Sequence, residues 1–173
     1  MYTPGPEDKV TLVMAYTQNG LIRGEVVTMK TMRINNWLRT DSAPDYFHFY
    51  NLQWLQMTAG GIKSAAYQEL ILPVSQAIGF HAAPPSQEPL DYDEREDRRV
   101  NKPVTIHMGL FTVNGYFRAA SQSDLLTTLS VSHSAWMSIY DASVSSPYIP
   151  QMPPIQVSMM LARSEQIGFI LQD

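Results

Sequence analysis

The chain has 173 residues, enough for one ordinary domain or two small ones, and no cysteine, which excludes disulfides, thiolate zinc sites and a cysteine nucleophile. Its net charge is −4, with twelve basic residues against sixteen acidic ones, and this argues against a nucleic-acid binder, whose affinity comes largely from neutralised phosphates. Charged residues make up 16% of the chain, against roughly 25% in ordinary soluble domains.

Ten of those charges fall between Glu88 and Lys102, so the remaining surface is sparsely charged for a free-standing monomer. Ten methionines, nine tyrosines and three tryptophans point the same way, because these residue types are enriched at interfaces. The first nine residues carry no apolar stretch of the kind a secretory signal needs, and the apolar runs are too short to cross a bilayer. A cytoplasmic protein is expected, with peripheral attachment to a membrane complex left open.

In chain order, Val10, Leu12, Met14 and Tyr16 alternate with Thr11, Ala15 and Thr17, the period of a half-buried strand. Asn19-Gly20 predicts a two-residue hairpin turn with φ > 0 at both positions. The returning strand carries Arg23 and Gly24. Ile34, Trp37 and Leu38 have helical spacing, and a third strand runs through Phe47 and Phe49. Gly60-Gly61 marks a loop, and the half closes on a strand at Ile78-Gly79-Phe80.

From Pro84 to Pro103 the composition changes. Flanking prolines and the run Asp91–Arg99 predict an extended connector, solvated or ordered by a partner, and more mobile than what it joins.

Beyond it the first pattern returns. Val104–Met108 matches Val10–Met14, and Asn114-Gly115-Tyr116-Phe117-Arg118 matches Asn19–Arg23, which predicts a second hairpin turn at Asn114-Gly115. Ser121–Asp124 resembles a helix capping box, followed by Leu125, Leu126 and Leu129 on one face. Trp136–Asp141 matches Tyr46–Asn51 in pattern. A proline-rich loop, Pro147–Pro154, then leads to Met159–Phe169, identical to Leu70–Phe80 at Leu161, Ser164, Ile167, Gly168 and Phe169. Three collinear blocks at offsets of about 94, 90 and 89 residues predict an internal duplication. The expected fold is all-β and mainly antiparallel, with two tandem small β-barrel units, 1–83 and 104–173, each with one short helix, joined by the connector 84–103.

Such a unit, with a tight opening hairpin, a small residue early in the second strand (Gly24, Ala119) and a closing Ile-Gly-Phe strand, resembles the Sm-like small β-barrels. The resemblance implies architecture and edge-to-edge association of barrels. The family's RNA-contacting Asp and Asn have no counterpart here, nor does its Arg-Gly signature, so RNA binding is not implied.

Catalytic chemistry finds little support. His48, His81, His107 and His133 form no ligand-spaced pair, and His48 and His107, on strands among apolar neighbours, are expected to be packed and hydrogen-bonded. A single imidazole at either position suffices as axial ligand to a haem or pigment of a neighbour, the sharper alternative. Ser132-His133-Ser134 with Asp141 lacks a nucleophile elbow and an oxyanion loop. Asp91, Asp93 and Glu94 lack the glycine of a calcium loop and read as a solvated charge run. Arg23 and Arg118, matched between the halves, are expected to bond a carboxylate or carbonyl, with paired anion contacts as the alternative. No residue is therefore assigned to catalysis, a cofactor or a metal. The expected function is a non-enzymatic structural or assembly subunit with protein partners or further copies of itself. The alternative is a small-ligand or nucleotide-binding module that uses the groove between the barrels.

Overall fold

A computed structural model describes residues 3–41, 43–86, 88–132 and 134–170. The strands are β1 (Asp8–Thr17), β2 (Gly20–Met29), β3 (Tyr46–Thr58), β4 (Gly61–Pro73), β5 (Gly79–Ala82), β6 (Arg99–Met108), β7 (Phe111–Ala120), β8 (Trp136–Ser145), β9 (Ile155–Arg163) and β10 (Gly168–Ile170). Two short helices, α1 (Ile34–Trp37) and α2 (Leu125–Val131), follow β2 and β7, and single 3₁₀ turns at Val74–Gln76 and Ser164–Gln166 follow β4 and β9.

All ten strands belong to one antiparallel sheet, in the order β10-β6-β7-β8-β9-β5-β1-β2-β3-β4. The order contains one connectivity twice. In each half a short closing strand pairs back onto the opening strand, β5 on β1 and β10 on β6. The halves meet where β5 pairs with β9, Gly79 opposite Ala162 and Phe80 opposite Leu161. The expected barrels are not closed: the sheet is open, ending on β4 at one side and β10 at the other.

The ladder registers correct the hairpins. The first turn is Gln18-Asn19, closed by Thr17 opposite Gly20, one residue earlier than Asn19-Gly20. Gly20 is needed for a close approach, since a Cβ there would lie 2.4 Å from the Leu55 carbonyl oxygen. The second turn is Gly109-Leu110, between Met108 and Phe111, with Gly109 at φ +58°. Asn114-Gly115 instead lies mid-strand in β7, where Gly115 sits at a register shift against β8. Gly24 occupies the same place in the β2–β3 ladder. Opposite these glycines, Asn51 and Asp141 adopt φ of 47° and 46°, so each half is bent by the same bulge.

Gly24 therefore corresponds to Gly115 and not to Ala119, Val13 and not Val10 corresponds to Val104, and Arg23 corresponds to Asn114 and not to Arg118. The Ile-Gly-Phe blocks do occupy corresponding strands, with Gly79 opposite Tyr16 and Gly168 opposite His107. Just before them the match slips by one, because Leu72 pairs with Phe47 whereas Ala162 pairs with Met137. Ile71 is thus the counterpart of Leu161.

Burial explains the union of the halves. β1 was expected to bury one face, but Val13–Thr17 is buried on both. Val13 and Ala15 pack in the first half's core with Ile22, Phe47, Phe49 and Phe80, while Met14 and Tyr16 pack with Ile106, Met108, Phe111 and Ile139 of the second. In return Trp136 and Leu161 enter the first half's core. The second helix is capped by Asp124, whose carboxylate accepts the Thr127 amide at 2.6 Å, rather than by Ser121. Leu125 is buried, but Leu126 points outward. Among the described residues, no helix is long and apolar enough to cross a membrane.

Candidate functional site: the cleft under the connector

β5 lies at the centre of the sheet and β6 near one end, so the chain must cross β9, β8 and β7 to continue. It does so over the outer face of the second half. On β7 and β8, Phe117, Ala119 and Ile139 point into the core, leaving Arg118, Ser138 and Tyr140 on the alternate face. The connector, which ends where β6 begins at Arg99, lays Asp91 and Tyr92 across these residues.

Asp91 is the hub. Its Oδ2 accepts from Arg39 Nη1 at 2.5 Å and from Ser138 Oγ at 2.7 Å, and its Oδ1 accepts from Tyr140 OH at 2.5 Å. Arg39 Nη2 also donates to Ser138 Oγ. Burial raises the Asp91 pKa, but the hydrogen bonds from Tyr140, Ser138 and Arg39, with the Arg39 charge, outweigh it and hold the carboxyl below its usual range. Burial, then the bond to Asp91, pushes the Tyr140 phenol up. Tyr92 meets Tyr140 edge-on, with ring centroids 4.8 Å apart, and carries the Arg118 guanidinium 3.8 Å above its ring. Earlier in the connector, Glu88 reaches Lys9 at 3.4 Å, so the segment is tied to both halves.

A cleft of about 570 Å³ opens between connector, α2 and β7, lined among others by Arg39, Arg99, Arg118, Ser123, Thr128 and Ser132. The Nε atoms of Arg39 and Arg118 are buried without a hydrogen-bond partner. With Asp91 fully engaged, the cleft could take a small anion.

The residues singled out from the sequence are scattered. His48 is partly exposed on β3, bonded to Glu69 and, through Nδ1, to Tyr50 OH at 3.0 Å. His107 is exposed on β6 rather than packed. Among the described residues the buried histidine is His81, whose Nδ1 donates to the Ala82 carbonyl at 2.8 Å while Nε2 accepts from Tyr16 OH at 2.9 Å. Burial lowers its pKa to about 4. His133 lies outside the described residues; Ser134 Oγ donates to the Trp136 carbonyl, and Asp141 sits in the β8 bulge. Asp93 accepts the Arg95 amide in a local turn, away from the Asp91 hub. Among the described residues, no group of three or more histidines and carboxylates could hold a metal ion. Arg23 is exposed on β2, whereas Arg118 donates through Nη2 to the Glu96 carbonyl at 3.4 Å and lies 3.6 Å from the Glu96 carboxylate.

The Asp91 hub was not anticipated. Its only sequence signal is Tyr92 inside a charge run together with Ser138 and Tyr140 spaced two apart on a strand. No protein-family model, curated protein or solved structure matches the chain.

Proposed function

We propose that this protein is a non-enzymatic structural or assembly subunit, a tandem duplication of a small Sm-like β unit whose free sheet edge is completed by another chain. One observation carries the reading. β4 spans thirteen residues at the end of the sheet, nine of them exposed, and only Lys63 and Glu69 are charged. Edge strands of free monomers are ordinarily short, charged or covered, because unpaired amides and carbonyls invite further pairing. Tyr67 and Ile71 on β4, and Tyr46 beside it on β3, add exposed apolar surface. The duplication is supported by the repeated connectivity, the matched bulges at Gly24 and Gly115, and the Ile-Gly-Phe strands.

The test is light scattering on the purified chain, with mass spectrometry of chains that co-purify from its native source. A complex burying more than about 1,000 Å² is expected. A freely soluble monomer without partner contradicts the reading.

The unpaired Nε atoms of Arg39 and Arg118 support a second reading, an anionic ligand or nucleotide in the cleft. It ranks lower because Asp91 and Tyr92 of the chain itself already occupy the outer face of β7 and β8. Stabilisation by inorganic phosphate or a nucleotide, lost in Arg118→Gln, would favour it.

A further inference from the structure

We propose that β4 is completed by β10 of a second copy of this chain, in the register that already joins β5 to β9. The proposal rests on the assembly reading and names its partner. Gly79 and Phe80 correspond to Gly168 and Phe169, and Ala162 and Leu161 correspond to Leu72 and Ile71. The ladder between copies then sets Gly168 opposite Leu72 and Phe169 opposite Ile71.

The side chains favour this partner. At the junction inside the chain, Leu161 and Trp136 are 0% and 5% exposed within the first half's core. Their counterparts at the free edge, Ile71 and Tyr46, are 61% and 58% exposed. On the opposite edge Ile170, half exposed, stands where His81 is fully buried. Large apolar residues thus lie uncovered at the positions that the internal junction covers.

The backbone is free as well. Val74 N–H donates to the Asp45 carbonyl at 2.9 Å, so by alternation the Leu72 amide also faces β3 and the Ile71 amide faces the open edge.

The junction between copies is weaker than the one within the chain. Arg163 donates its amide to Ile78 O at 2.9 Å and its guanidinium to Ala77 O and Val74 O at 3.1 and 3.0 Å. Its counterpart is Pro73, which has no N–H. The counterparts of Met14, Tyr16 and Leu21 are Thr105, His107 and Thr112, all less apolar. Association is therefore reversible. It is also head-to-tail, so it continues past a dimer until a ring closes or a filament grows.

Sedimentation of the full chain over a wide concentration range tests this, with Ile71→Lys blocking one edge and Ile170→Lys the other, both at exposed sites. The wild type should grow beyond a dimer with concentration. Each variant alone should stay monomeric, its apparent dissociation constant raised about tenfold or more. An equimolar mixture of the two should stop at a dimer, because one intact edge of each kind remains. Tyr46→Lys serves as the β4 block if Ile71→Lys lowers the melting temperature. A wild type that is monomeric to near-millimolar concentration, variants that associate like wild type, or a mixture that passes the dimer overturns the proposal. A monomer that co-purifies in a defined complex with a different chain overturns the copy-to-copy contact and leaves the assembly reading standing; a monomer with no partner sinks both.

Discussion

Tyr16 donates its hydroxyl hydrogen to His81 Nε2 across 2.9 Å, with both side chains fully buried where β1 meets β5. The Ala82 carbonyl holds Nδ1 protonated, so Nε2 is left as acceptor, and the pair is satisfied only while the imidazole is neutral.

That geometry sets a pH dependence. Burial lowers the His81 pKa to about 4, below the 6.5 of an exposed histidine. Between those values the unfolded chain binds a proton that the native chain refuses, so stability rises with pH across this window and is lost as pH falls through it. The full effect is at most about 3 kcal/mol. Urea unfolding at pH 7 and pH 4.5 should show it, and His81→Gln should be less stable at pH 7 with the difference between the two pH values reduced. An unchanged difference in that variant would place the titration elsewhere.

The Asp91 hub predicts a connector that can be released. Asp91→Ala removes the acceptor of Arg39, Ser138 and Tyr140 and leaves the partly buried Arg39 guanidinium without its carboxylate, at a cost of about 2–3 kcal/mol. Trypsin should then cut faster at Arg95 or Arg98, in the exposed stretch before β6. Asp93→Ala, which loses one local bond, should change stability by less than about 0.5 kcal/mol. Because the Asp91 pKa is lowered, its contribution is complete above the usual carboxylate range and fades as pH drops through the folded value. Equal cutting rates in both variants would show that the connector is not held by Asp91.

The glycines separate turn from bulge. In Gly115→Ala the new Cβ would lie 2.8 Å from both Ile139 Cγ2 and the Tyr140 carbonyl, and in Gly24→Ala 2.8 Å from Leu52 Cβ. Each should cost about 1–3 kcal/mol by overpacking. Gly61→Ala meets nothing within 4 Å but sits at φ +97°, so only backbone strain is paid, about 1 kcal/mol. Thermal melts of the three compare them directly. A Gly115→Ala melt equal to wild type would contradict the bulge.

Part of this architecture is legible in the sequence, because β2, β6 and β7 largely follow period-two burial and the Ile-Gly-Phe blocks mark the closing strands. What misled was treating Asn-Gly as a turn wherever it occurs. At Asn114-Gly115 the glycine relieves a close approach between β7 and β8, and the turn falls to Gly109, the residue with positive φ. Matching Asn-Gly to Asn-Gly then displaced Arg23 onto Arg118 and Gly24 onto Ala119. The double burial of β1 could not be read locally, since Met14 and Tyr16 are covered by residues about ninety positions away. The Asp91 hub was hidden for the same reason: a carboxylate in a charge run reads as solvated until the crossing from β5 to β6 lays it on Ser138 and Tyr140.

The central claim is that another chain covers the β4 edge, and amide hydrogen exchange tests it most directly. Glu69 and Ile71, whose amides face away from β3, should exchange at least about tenfold more slowly in the assembly isolated from the native source than in the dilute purified chain. The Leu72 amide, already facing β3, should change little. Equal exchange at Glu69 and Ile71 in both preparations would contradict the claim.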